Sequence, residues 1–272
     1  MSAATRVTQA SWHPPSKGLA TVVEGRGEYA QGIHSATEVT MAVDIVLSAG
    51  WLAFARHVGF LEGLADQGIE VGAVVGTSSG SLVGALWAAG LSLDAIAEEV
   101  TATRPFRALR PSRTPWRGVC SMGGLMARIR KHLPERIEDL ERPFAVGVCS
   151  GPNAPHLLTS GSLVEAVAAS CAVPGLFSSV DVNGTRWLDG GWADRTAVQG
   201  WRDWRPGQPG MLHLIETKTG TYPAPTGITV VRSQPSGARL WSLGDHRTQR
   251  AETRALTNTI LSETTLSNSH VD

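Results

Sequence analysis

Gly76-Thr77-Ser78-Ser79-Gly80 sets a serine between two glycines, each two residues away. The apolar run IEVGAVVG precedes it, and SSGSLVGALWAAG follows, with Leu82, Leu86 and Ala89 on one helical face. A G-x-S-x-G at a strand-to-helix junction is a nucleophile elbow, and its chemistry is acyl transfer through an acyl-serine. The reason is steric. The serine must stand on a sharp turn in backbone geometry that costs about 1–3 kcal/mol. Its neighbours two residues away must be tiny, so that strand and helix can close on each other. The N-terminus of the next helix then favours the negative charge that develops at the serine. The bland reading of the same five residues is a glycine turn that opens a helix.

A serine nucleophile needs a base. Histidine oriented by a carboxylate is the usual one. In the order serine, acid, histidine, the late candidates are His213, His246 and His270. His213 lies inside an apolar run, and the other two lie in a polar tail, so each reads as an ordinary core or surface histidine. Asp189 is the better partner. It ends the short run Thr185-Arg186-Trp187-Leu188 and precedes Gly190-Gly191, so its carboxylate would stand on a tight turn. Asp-Gly alone is a common turn and carries little weight.

GTSSG and LDGG, with SLVEAVAASCAVPGLF between them, resemble the patatin-like phospholipase family over residues 43–198. That resemblance implies a three-layer α/β/α fold with a mainly parallel central sheet. It also implies a Ser78–Asp189 dyad that works without histidine, metal or cofactor. The family's A-S-x-x-x-P stretch falls on Ala169-Ser170-Cys171-Ala172-Val173-Pro174. Its glycine-rich oxyanion loop falls on Leu47–Leu64, where Ala49, Gly50 and Trp51 take the three glycine positions. Ala53 stands where the family has a basic residue, and Phe54 where it has the last glycine. Backbone amides stabilise the oxyanion, so Ala49, Gly50 and Trp51 can serve. A bulky residue tolerates fewer angles than glycine, and a misplaced donor costs about 100- to 1000-fold in rate. Arg56, three residues after Ala53, is a candidate replacement for the missing charge. Trp51 and Phe54 put bulk beside the serine and reshape the acyl pocket. Trp192, just past the Asp189 turn, is a further candidate to line it.

The elements that must hold these residues alternate. Strands are expected at 41–48, 69–76, 143–150, 156–160, 185–189, 211–216 and 228–233. Helices are expected at 52–68, 78–90, 92–102, 123–133 and 162–172. Strands alternating with helices argue for a parallel sheet covered on both faces. Residues 1–40 read as an N-terminal extension, with a short strand near Gly18–Val23. Residues 41–272 read as the globular domain, closing with a tail from Ser242 to Asp272 that has helical spacing at first, then turns polar and frays.

Composition narrows the partners. Lys plus Arg and Asp plus Glu are 24 each, so there is no basic excess to hold a nucleic acid. The three cysteines show no CxxC spacing, which points away from a zinc site or a disulfide framework. The first residues lack an apolar signal core, and the uncharged stretch Val71–Leu93 is broken by GTSSGS, so the chain reads as cytoplasmic. Residues 104–117 carry five arginines and no acid. They read as a solvated loop, a lid, or a patch for transient contact with anionic lipid headgroups. The function that follows is hydrolysis of lipid or carboxylic esters. One alternative is acyl transfer or cyclisation on a specialised small molecule or carrier-bound thioester. The other is a catalytically impaired, acyl-binding relic. Nothing in the residues speaks to oligomeric state.

Overall fold

The structure is a computed structural model that describes residues 42–102, 109–112, 115–218 and 220–268. The N-terminal extension, with its expected strand, and His270 lie outside the described residues. In chain order the elements are β1 (Val43–Leu47), α1 (Phe54–Asp66), β2 (Val71–Thr77), α2 (Ser79–Ala88), α3 (Leu93–Thr101), β3 (Arg110–Pro111), β4 (Cys120–Ser121) and α4 (Gly123–Ile129). There follow β5 (Phe144–Cys149), β6 (Pro155–Leu158), α5 (Leu163–Ser170), β7 (Val180–Val182), β8 (Thr185–Asp189), α6 (Val198–Trp204), β9 (Gly210–Ile215), β10 (Thr229–Ser233) and α7 (His246–Asn268).

β10, β9, β1, β2 and β5 lie side by side and run parallel. Their side chains alternate between two covered faces, which is why these strands read as continuous apolar runs. Ile45, Leu47, Val74, Val146 and Met211 enter one core with Phe60, Leu61, Leu86 and Val167. Val46, Val75, Ala145, Leu212 and Leu214 enter the other, with Val198 and Trp201 of α6. The result is three layers, helix over sheet over helix. Asp44, the one acid inside β1, is fully buried yet satisfied: it accepts from Ala73 N, Trp201 Nε1 and Arg205 Nε at 2.8, 3.0 and 3.0 Å.

The strand directions at β5 decide where the site lies. Val146 and Gly147 pair with both β2 and β6. Val148 and Cys149 pair with both β6 and β8. A strand has two edges, so β2 and β8 share one of them. β2 runs parallel to β5 and β8 antiparallel, and their carboxyl ends meet: Thr77 pairs with Gly147 and Asp189 with Val148.

Several elements differ from the sequence expectation: the two-residue β3 and β4 and the helix α6 lie where none was expected, as does β7. β7 forms a hairpin with β8 through Asn183-Gly184, both at positive φ (53° and 84°), the turn that Asn-Gly favours. The tail does not fray in its polar part: α7 runs on to Asn268. It lies close on α1, where an added Cβ at Gly59 would stand 2.2 Å from Arg250 O, and Arg250 and Arg254 pair with Glu62 and Asp66. Arg56 joins this contact rather than the site. Its Nη1 donates to Thr253 Oγ1 and Glu252 Oε2, each at 3.3 Å. Among the described residues no helix is long and apolar enough to cross a membrane, and Val71–Leu93 divides between β2 and α2.

Candidate active site

Ser78 stands alone between Thr77 and Ser79, at the junction of β2 and α2, with φ 53° and ψ −120°. A serine at positive φ is strained, and the packing around it explains how the strain is held. An added Cβ at Gly76 would come within 2.5 Å of Ser81 Cα, and one at Gly80 within 2.3 Å of Leu47 O. Only glycine lets strand and helix approach this closely. The elbow is also wired. Ser78 N donates to Ser170 Oγ at 2.8 Å, and Ser170 Oγ donates to Gly147 O at 2.6 Å. Ser78 O accepts from Ser81 Oγ at 2.7 Å and from Cys171 Sγ at 3.3 Å.

The Ser78 hydroxyl donates to Asp189 Oδ2 at 2.7 Å, across 111 positions of chain. The other carboxylate oxygen accepts from Gly191 N at 2.8 Å, so the Gly-Gly turn orients the acid. Gly190 is needed for closeness, since an added Cβ there would stand 2.5 Å from Gly147 O. Asp189 is 5% exposed. Burial raises its pKa to about 6, opposed by the hydrogen bonds from Ser78 and Gly191 and by the nearby Arg195 charge. A carboxylate so adjusted is a better base at neutral pH than free aspartate.

Histidine is absent from this contact. His57 and His213 form a buried pair at 2.9 Å between their Nδ1 atoms, and His57 Nε2 meets Ser79 Oγ at 3.3 Å. Burial pushes His57 down to about 3 and lowers His213 as well, so both rings are neutral. His213 Nε2 reaches Ser233 Oγ at 2.8 Å. The two rings are core groups with satisfied nitrogens. His246 begins α7.

Beside Ser78 opens a cavity of about 150 Å³, walled mostly by apolar side chains. Gly50, Trp51, Phe54 and Cys171 stand near the serine end, and Leu82 and Leu86 follow along α2. Leu109, Ser121 and Met122 also line the cavity; of the arginine-rich segment's described residues Leu109 alone does so, while Arg110, Pro111 and Trp116 are exposed. Trp192 is not among the lining residues. The short 3₁₀ turn Gly190–Trp192 carries it to the surface, where it is 47% exposed. That corrects the expectation for Trp192, whereas Phe54 and Trp51 do reach the cavity.

The 49–51 loop adjoins the dyad, and its amides are not alike. Ala49 N donates to Arg195 O at 2.7 Å and is therefore committed. Among the described residues the amides of Gly50 and Trp51 have no hydrogen-bond partner, which narrows the open donors to these two. Gly50 has no room for a side chain: an added Cβ would stand 2.8 Å from Ile215 Cγ1. Leu52 takes φ 49° to complete the turn. Sequence reasoning passed over Ser170 as a participant and did not reach Arg195. The serine was in view inside the Ala169–Pro174 motif, whereas nothing near Arg195 in the chain marks it.

A strained serine, an acid on a glycine turn and an apolar cavity thus lie together on a three-layer α/β sheet. The patatin-like phospholipase family model matches residues 45–200, and the chain belongs to that family. It is similar to the "Uncharacterized NTE family protein Mb1092c" of Mycobacterium bovis and to Rv1063c, of the same description, in Mycobacterium tuberculosis. Each is 29% identical over 159 residues, covering 56% of this chain and 43% of the relative. The chain thus spans less than half the length of the curated relatives it matches. Among solved structures, VipD from Legionella pneumophila shares the fold with a TM-score of 0.52 at 12% identity, over 84% of this chain and 67% of that one.

Proposed function

We propose that this protein is a serine acyl hydrolase that cleaves lipid or carboxylic esters through an acyl-Ser78 intermediate, with Asp189 as the base. The observation that carries the reading is the 2.7 Å hydrogen bond from the Ser78 hydroxyl to Asp189 beside an apolar cavity. The acyl chain lies along Leu82 and Leu86, with its carbonyl carbon against Ser78 Oγ. Asp189 takes the hydroxyl proton as the Oγ–C bond forms. The carbonyl oxygen gains the electron pair, and the open amides of Gly50 and Trp51 receive that charge. The C–O bond to the alcohol breaks, and the alcohol leaves with the proton from Asp189. Water, activated by the same carboxylate, then releases the acid and restores Ser78. Membership in a lipid-hydrolase family supports the substrate class. The mostly apolar lining of the cavity supports an acyl chain as the group it receives. Ser78→Ala and Asp189→Asn, assayed on p-nitrophenyl esters of graded chain length, test the reading. Loss of turnover in both is the expected result, and undiminished turnover in either overturns it.

A further inference from the structure

The loop that carries the open amides is tied at two carbonyls, Gly50 O accepting from Ala53 N at 3.3 Å and Trp51 O from Ser236 Oγ at 2.6 Å, and its turn is strained. Leu52 is strained at positive φ, Gly50 is the most pliable of residues, and Trp51 is 45% exposed. Donors useful to an oxyanion must nevertheless be aimed before reaction. One charged side chain is in a position to aim the Gly50 amide. Arg195 Nη2 donates to Ala49 O at 2.9 Å and to Ile215 O at 3.0 Å. The carbonyl of the same Arg195 accepts from Ala49 N at 2.7 Å. Both backbone groups of Ala49 are thus held by one residue, 146 positions away.

The consequence follows from peptide planarity. Ala49 C=O and Gly50 N–H belong to one peptide unit, and in a trans peptide they point in opposite directions. Whatever holds Ala49 O therefore fixes the direction of Gly50 N–H. Ile215 completes the seat: its carbonyl shares Nη2, and its side chain fills the space a Cβ of Gly50 would take. The guanidinium lies 5.9 Å from the Tyr222 ring centroid, which confines it from another side.

We infer that Arg195 is a positioning residue, which clamps the Ala49–Gly50 peptide so that Gly50 N–H faces the developing oxyanion at Ser78. This rests on the reading of Ser78 as nucleophile. Arg195 touches neither substrate nor the reacting atoms; it acts through the peptide it grips.

The test compares Arg195→Met, Arg195→Lys and Arg195→Ala with the unmodified protein. In Arg195→Met, kcat on a p-nitrophenyl ester falls about 100-fold while KM changes little, because the lost contact matters only once charge develops. Fluorophosphonate labelling of Ser78 slows in parallel. Arg195→Lys, which keeps one donor, retains more activity than Arg195→Met, and added guanidinium restores part of the rate to Arg195→Ala. Hydrogen exchange of the peptide containing residues 48–52 speeds up in Arg195→Met, while exchange in β1 and β2 stays slow. A folded Arg195→Met protein with kcat within about threefold of the original overturns the clamp. So does unchanged exchange at 48–52. If the unmodified protein neither turns over ester nor labels, the hydrolase reading fails, and hydrogen exchange still decides the clamp. If Arg195→Met does not fold, the same exchange and rate measurements on Arg195→Lys decide it, with unchanged values in both as the overturning result.

Discussion

The Ser170 hydroxyl accepts the amide proton of Ser78 at 2.8 Å and donates its own to Gly147 at 2.6 Å. It ties the elbow to β5, and it is fully buried. Ser170→Ala strands a buried donor and a buried acceptor, at about 1–3 kcal/mol for each unsatisfied group. The expected outcome is a loss of stability of that order in urea unfolding, together with slower fluorophosphonate labelling. An unchanged midpoint would show that the elbow holds itself.

Asp189 must be ionised to accept the serine proton. Its pKa is raised to about 6, chiefly by burial, so activity falls as pH drops through that value. The profile of kcat/KM against pH should show an acid limb near about 6 rather than near the ordinary 3.8 of a free aspartate.

The same raised pKa has a cost in stability, and its sign is opposite to that of a salt-bridged acid. The native state keeps the Asp189 proton up to about pH 6, whereas the unfolded chain releases it near 3.8. Stability therefore declines as pH rises from about 4 through 6 and stays lower above it. A difference of about two in pKa corresponds to about 3 kcal/mol. Asp189→Asn abolishes this dependence. Its stability relative to the unmodified protein should increase between pH 4 and 7, read by urea unfolding at each pH.

Gly80→Ala puts a methyl group 2.3 Å from Leu47 O, a backbone atom in the middle of the sheet. Neither element can yield without breaking the elbow. A loss of about 3 kcal/mol or more is expected, at the upper end of overpacking. Gly90→Ala, where nothing lies within 4 Å but φ is +85°, separates steric conflict from backbone strain and should cost less.

Leu86 lines the cavity two helical turns from Ser78. Leu86→Trp fills that end, so activity should shift towards shorter p-nitrophenyl esters, with the C2 ester nearly unaffected. A uniform loss across chain lengths would place the acyl group elsewhere.

The parts of the molecule written in local sequence were the readable ones. Gly76, Gly80 and the Asp189-Gly190-Gly191 turn announce themselves, because close backbone approach admits no other residue. Five buried parallel strands were visible as apolar runs. β7 escapes the pattern because three residues, Val180-Asp181-Val182, are too few to show alternation, although the Asn183-Gly184 turn beside it is a usable signal. The polar residues of the tail predict fraying; what anchors it is close approach to Gly59 and Gly63 on α1, far back in the chain. Adjacency to Asp189 in sequence puts Trp192 in the pocket, and a single 3₁₀ turn carries it away. Helical spacing offers Arg56 as a substitute charge, but its side chain bonds to Glu252 and Thr253 of α7. Arg195 could not be found from spacing at all, since its partners are backbone carbonyls, and backbone carbonyls leave no mark in sequence.

The hairpin tip at Asn183-Gly184 is exposed, and it separates the stretch that supplies the nucleophile from the stretch that supplies its base. Opening the chain there yields two pieces, one carrying Ser78 and the other Asp189, neither with a complete dyad. Esterase activity in a mixture of the two would then report their reassembly, making this turn a natural place to build a split reporter.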